Sequence, residues 1–229
     1  MKIKSKVQMS ETLAVGAILA VAGGYLDAYT YIARGGVFAN AQTGNIVLLA
    51  LNIADGNFLD ALIYIIPISA FILGVFVSEL IRKIGTQTFH WRQIIILIEL
   101  ITILIVAFIP STNERAGIYD MSANVLISFV CSLQVQSFRK IHDITCATTM
   151  CTGNLRSASE MLMRYQKSHT KTDLYSAIKY YSINLFFIFG AVISSFITKV
   201  FNEKSVLFCG IGLLAVLLMM FIPNEEPQP

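Results

Sequence analysis

The sequence predicts an all-α membrane protein of six transmembrane helices, built as a 3+3 inverted repeat with a broken or re-entrant helix in each half. Three observations carry this expectation. Hydrophobic residues make up 55% of the 229 positions and charged residues 14%, with a mean hydropathy of +0.68, whereas an ordinary soluble domain is nearer a quarter charged. Lys and Arg are distributed asymmetrically between the apolar runs. A Thr-Gly-Asn tripeptide, 43–45, recurs as 152–154 at a corresponding place in the second half.

Apolar runs long enough to span, at about 20 residues per crossing, lie at 12–33, 60–81, 93–110, 121–138, 177–198 and 205–223. Lys2, Lys4 and Lys6 ahead of the first run give it the outline of a secretory signal. No convincing small-residue cleavage site precedes Tyr25-Leu26-Asp27, so the run is expected to remain as the first span. The chain is expected to form one integral membrane domain over 1–229, with halves at about 12–110 and 121–223.

Whether the two Thr-Gly-Asn segments, 35–52 and 145–161, add two more spans is decided by charge. If both re-enter, with both termini cytoplasmic, the inside receives Lys2, Lys4, Lys6, Arg82, Lys83, Arg92, Arg139, Lys140, Arg156, Arg164, Lys167, Lys171 and Lys179, and only Arg34, Arg115, Lys199 and Lys204 fall outside. Spanning segments would erase that bias and strand Arg156 in lipid. Re-entry is therefore predicted. The partner is the lipid bilayer and not nucleic acid, because the cations sit between apolar runs and form no basic face.

At an offset of about 109 residues Asp27 matches Gln136, and Thr43-Gly44-Asn45 matches Thr152-Gly153-Asn154. Gly74 and Ser78 match Gly190 and Ser194, and 108–110 matches 221–223, at slightly larger offsets. The colinear order of these short matches makes the repeat. Three spans per unit, an odd number, invert the second copy relative to the first. Inverted repeats of this kind recur in transporters, with the site where broken helices meet near the midplane.

The run Gly24-Tyr25-Leu26-Asp27-Ala28 with Tyr31, Gly36-Val37-Phe38 and Thr43-Gly44-Asn45 resembles the first signature of the YoaK family, bacterial membrane proteins named for a domain of unknown function. The second signature is similar to Ser132-Leu133-Gln134, Phe138-Arg139, Thr148-Thr149 and Thr152-Gly153-Asn154. The resemblance implies a bacterial inner-membrane protein of about six spans and brings no substrate. Ser132 and Leu133 stand where such a family often has Gly, which puts close helix packing there in question.

In water, Thr-Gly-Asn is a commonplace helix start. At membrane depth, broken backbone persists only where protein or a water-filled cavity satisfies it. Thr43 and Thr152 are expected to cap the half-helices that follow, with the Asn45 and Asn154 amides near the interior. Two converging helix N-termini would suit a carboxylate, a phosphate or a small inorganic anion, and Asp at either Asn position should repel one. Gly44 and Gly153 are expected to tolerate Ala poorly. The alternative is that the motifs only stabilise two kinks.

Asp27 lies about two thirds of the way through the first span. A charged, unpaired intramembrane carboxylate costs several kcal/mol, so it should face the interior, take a partner or keep its proton. Two readings stay open: proton or cation coupling, and a structural carboxyl bonded to Tyr31 or a neighbouring helix. Glu99 has Lys179 as a partner in principle, although snorkelling is the commoner fate of such a lysine. Glu79 fits an interfacial cluster with Arg82 and Lys83. His90, His142 and His169 fall in connections and are assigned no chemistry.

Cys131, Cys146, Cys151 and Cys209 show no CxxC and no His at ligand spacing, and are expected to be small buried hydrophobes. Neither a metal nor a cofactor is expected. Hydrolase, nucleotide-binding and metalloprotease signatures are missing, and Asp27 lacks the second acid or base that catalysis needs. The sequence thus points away from an enzyme. It points to a transporter or channel-like permease for a small polar or anionic solute, with Asp27, Thr43, Gly44, Asn45, Gln136, Thr152, Gly153 and Asn154 as its binding residues. A non-transporting regulatory or scaffold protein is the alternative, and a homo-oligomer is left open.

Overall fold

The computed structural model describes residues 8–84, 90–112 and 117–222. Lys2, Lys4, Lys6, Arg115 and the acidic tail at 224–226 lie outside them. Among the described residues eight helices follow in order: α1 (Leu13–Ala33), α2 (Gln42–Ala54), α3 (Phe58–Ile84), α4 (Trp91–Val106), α5 (Ile118–Ser137), α6 (Cys151–Ser168), α7 (Lys171–Phe201) and α8 (Val206–Met219). Between α5 and α6 lies a feature that the sequence did not announce, an antiparallel pair of two-residue strands, β1 (Lys140–Ile141) and β2 (Ile144–Thr145).

Local chemistry sets several helix ends. The Thr12 hydroxyl accepts the Val15 N–H and starts α1. His90 accepts the Arg92 N–H while Gln93 reaches back to the His90 N–H, a capping box that opens α4. Burial and the nearby Arg92 charge lower the His90 pKa, which keeps the imidazole a hydrogen-bond acceptor. His169, at φ 53°, ends α6 in a left-handed turn.

Among the described residues four helical stretches are long and apolar enough to cross a membrane: Leu13–Ala33, Phe58–Lys83, Ile118–Ser137 and Lys171–Met219. Their outward faces are apolar: Leu73, Phe76 and Leu80 on α3 and Leu185, Phe189 and Phe196 on α7 are exposed. In water such faces would be costly, and in lipid they are ordinary. The chain is a helical membrane protein.

The helix directions follow from which residues meet. On α1 and α7, Gly16 lies against Ile183, Gly24 against Phe187 and Gly190 against Val21, so the two run parallel. Gly74 lies against Phe129 and Ser132, and the Ser78 hydroxyl is 3.0 Å from that of Ser137, so α3 and α5 also run parallel. The Gln134 amide donates to Leu19 O in the first half of α1 and Asn124 to Arg34 O at its C-terminal end, which makes α5 antiparallel to α1. In α4 and α8, Gln93 meets Met220 and Ile103 meets Gly210, an antiparallel pair.

The main core gathers α1, α4, α5 and α8 around Leu26, Ile96, Ile103, Ile127 and Leu213. Close packing between α3 and α5 survives the loss of Gly in α5. The missing space is supplied from the other side, by Gly74, and the Ser132 hydroxyl folds back onto Phe129 O at 2.7 Å.

Lys179 and Arg34 find partners that the sequence did not name. Lys179 does not meet Glu99: its Nζ is 2.5 Å from Asp143 Oδ1. Burial raises the Asp143 pKa, but the bond and charge of Lys179 outweigh this and hold it below the usual value. Glu99 is fully buried, and both its oxygens are without a hydrogen-bond partner among the described residues. Arg34 closes α1 at its C-terminal end. It is 0% exposed and donates to Asp120, Tyr29 and the carbonyls of Val106, Ile109 and Pro110.

Candidate functional site

Each half carries a limb of extended chain that turns back toward the middle of α1, followed by a helix that leaves it. After α1, Gly35 and Gly36, both at φ 79°, reverse the chain; such positive φ at successive positions suits glycine. The limb 37–41 then runs back along α1. Asn40 donates from its side chain to Gly23 O at 3.3 Å, and its N–H donates to Asp27 Oδ1 at 2.6 Å. The Ala41 N–H points at the same oxygen from 3.4 Å. Helix α2 therefore starts level with the middle of α1, and a carboxylate from α1 receives the N–H groups at its entry. A negative charge at a helix N-terminus is favourable.

The second limb arrives from the opposite end of α1. The β1–β2 turn is anchored at the start of α1, where the His142 N–H donates to Glu11 O at 2.6 Å and His142 Nε2 accepts the Leu13 N–H at 3.2 Å. The chain then passes Thr148, 3.4 Å from the Gln134 amide, and Thr149, whose methyl group abuts Gly23. Helix α6 starts there and runs back beside α7, with the Asn154 amide 3.4 Å from that of Asn184.

The two limbs are pinned alike. Asn45 donates to Phe38 O at 2.8 Å and accepts the Phe38 N–H at 3.0 Å, and Asn154 donates to Ala147 O at 2.7 Å. Each amide thus bonds the chain seven residues before it, where a limb would otherwise leave backbone groups unpaired.

Between the starts of α2 and α6 lies a cavity of about 600 Å³. Asp27 and Tyr31 of α1 form one wall, Phe38, Asn40 and Thr43 another, Thr149, Thr152 and Gly153 a third, and Phe71 of α3 and Phe187 of α7 close the sides. Asp27 is the one charged residue among those lining it, and it is 5% exposed.

The residues singled out in the sequence separate here. Asp27, Thr43, Thr152 and Gly153 line the cavity. Asn45 and Asn154 are buried behind it, holding the limbs. Gly44 stands beside the Phe38 ring, where a Cβ would lie 3.0 Å from a ring carbon, whereas a Cβ on Gly153 would meet nothing within 4 Å. Gln136 is turned away and donates to Glu79 at 2.6 Å. Glu79 also approaches Arg82 at 3.8 Å.

Thr43 and Thr152 do not cap the half-helices. The helices begin one residue earlier, at Gln42 and Cys151, and neither Ala41 nor Met150 at the cap position makes a side-chain cap bond. Tyr31 is not the Asp27 partner either; it stacks on Phe38 at 4.8 Å. Sequence reasoning named Phe38 and Thr149 only within the two signatures and did not name Asn40, although a polar residue three positions before each Thr was the available signal.

Cys131, Cys146 and Cys209 are buried and Cys151 half-buried, all as free thiols. Among the described residues no group of three His, Cys, Asp or Glu could hold a metal.

Fold and site together define a helical membrane protein in which α2 and α6 both start at one cavity. The chain matches, over residues 15–220, the family described as "Protein of unknown function (DUF1275)", and it belongs to that family, as its paired signatures imply. No curated protein and no solved structure matches it.

Proposed function

We propose that the protein is a transporter or channel-like permease for a small polar solute, held where the two broken helices meet. The observation that carries this is the cavity of about 600 Å³ bounded by both half-helix starts, with Asp27 on its wall. Its volume falls in the range of small-molecule sites. Of the two kinds of solute the sequence suggested, polar or anionic, the geometry favours the polar one. The start of α2 already holds Asp27, and no Lys or Arg among the described residues lines the cavity.

The fold we propose is a 3+3 inverted repeat of six spans, α1, α3, α4, α5, α7 and α8, with α2 and α6 re-entrant. Exchanging the halves supports it: α1 with α7 becomes α5 with α3, α6 with α7 becomes α2 with α3, and α1 with α8 becomes α5 with α4, each a pair in contact. The antiparallel course of α1 and α5 gives the inversion. The 16-residue α4 and 14-residue α8 are short for about 30 Å of hydrocarbon at 1.5 Å per residue, and turns at 107–109 and 220–222 lengthen their paths. We assign the protein to the bacterial inner membrane, as the family resemblance implies, and the Lys and Arg bias supports cytoplasmic termini.

Asp27 is the group through which a proton or cation would couple to the solute. With no His, Lys or second carboxylate among the described residues beside it on the cavity wall, catalysis is not part of the proposal. The competing reading, a dry junction in a scaffold or regulatory protein, is separated by labelling. With the four native cysteines replaced by Ala, Gly153→Cys in sealed vesicles should react with a membrane-impermeant thiol reagent. No reaction from either side, while an exposed control at Thr170→Cys reacts, would favour the scaffold.

A further inference from the structure

We infer that the solute is a small organic cation, an amine or a quaternary ammonium. The inference rests on the reading of the cavity as a solute site, and its failure is distinguishable from the failure of that reading.

Asp27 supplies the charge. Among the described residues it is the lone charged one on the cavity wall, and no basic side chain pairs with it. Two backbone N–H groups donate to its Oδ1. These dipoles temper a full negative charge without cancelling it, so a carboxylate there still lacks a counter-ion.

Aromatic rings supply the rest. Tyr31 and Phe38 stack with centroids 4.8 Å apart and an interplanar angle of 18°, and Phe71 and Phe187 stand on the other walls. Ring faces carry negative potential, and ringed pockets with a carboxylate attract alkylated ammonium groups. An anion would meet both the carboxylate and the ring faces with the wrong sign. A bare metal ion needs a shell of oxygens at close range, and a space of about 600 Å³ walled largely by carbon does not provide one. A neutral polyol would leave many hydroxyls unmatched. A cation with an apolar body satisfies both kinds of wall at once.

The test is thermal melting of the purified protein in detergent at constant ionic strength. The probes are tetraethylammonium and benzyltrimethylammonium chloride, compared with uncharged 3,3-dimethylbutan-1-ol and with sodium benzoate. The cations should raise the melting temperature saturably, by a few degrees at millimolar concentration, through mass action, while the alcohol and benzoate do not. Asp27→Asn should abolish the rise. Because Asp27 also anchors Asn40, that variant is paired with Tyr31→Leu at a half-exposed position, which should melt like the parent and need at least threefold more cation. No response to either cation, or a response unchanged in Tyr31→Leu and Asp27→Asn, overturns the inference. Stabilisation by the alcohol or benzoate alone, lost when Gly153→Trp fills the cavity, also overturns it while leaving a solute site in place. Failure of the underlying reading shows instead as an unreactive Gly153→Cys.

Discussion

The Asn45 amide closes a loop on Phe38, and with the side chain 0% exposed both of its backbone bonds are made away from water. Removing it leaves a buried N–H and C=O without partners, an effect of about 1–3 kcal/mol per unsatisfied group. Asn45→Ala should therefore lower the melting temperature clearly, as should Asn154→Ala, when each is measured in detergent without ligand. Asp at either position acts through the fold and not through an anion, since neither side chain reaches the cavity. The two glycines should behave differently from each other. Gly44→Ala pushes a methyl group against the Phe38 ring and should destabilise, while Gly153→Ala, opening into free space in a helix, should melt within about 0.5 kcal/mol of the parent. The Thr-Gly-Asn motif was legible, and so was the buried position of Asp27. The division of labour within the motif was not, because local capping rules place a Thr at the helix start, whereas α2 is received by a carboxylate 14 residues back in the chain, from another helix.

At the scale of the helix, glycines set the two closest crossings. A Cβ on Gly190 would strike the Val21 carbonyl, one on Gly24 the Phe187 carbonyl, and one on Gly74 the Ser132 hydroxyl and, at 2.5 Å, the Phe129 carbonyl. Backbone cannot yield as a side chain end can, so Gly74→Ala and Gly190→Ala should each cost about 1–3 kcal/mol. Gly210→Ala, whose nearest contact would be an ordinary 3.6 Å to Ile103, serves as the comparison in the same melting experiment. All six apolar runs of the sequence became helices, because lipid requires backbone bonds to be made within a segment. The β1–β2 pair was illegible, since two-residue strands leave no periodicity to detect. The pairing of Lys179 was illegible too: membrane side alone made Glu99 a candidate, but Asp143, in the turn beside α7, is the partner that the side chain reaches.

Across the whole molecule, Arg34 joins the first half to the second. It bonds α1 through Tyr29, the carbonyls at the end of α4, and Asp120 of α5 at 3.1 Å. Its replacement by Ala leaves Asp120 buried without its counter-charge, with only the Thr112 N–H and hydroxyl donating to it among the described residues, and should cost about 3–5 kcal/mol. Arg34→Ala with Asp120→Ala should recover part of that loss, which a double-mutant cycle of melting data would read. In the sequence Arg34 counted only as one charge on the outer side, because a long cation after an apolar run is usually solvated. The central claim is that α2 and α6 enter from opposite sides of the membrane and meet at the cavity. The turn at 55–57 closes α2 onto α3 and the turn at 169–170 closes α6 onto α7, so the two turns should face opposite compartments. Asp55→Cys and Thr170→Cys, each in a cysteine-free background, are treated with a membrane-impermeant maleimide in sealed vesicles of known orientation. Labelling of position 55 only from the periplasmic side and of position 170 only from the cytoplasmic side is the expected result; labelling of both from the same side would contradict it.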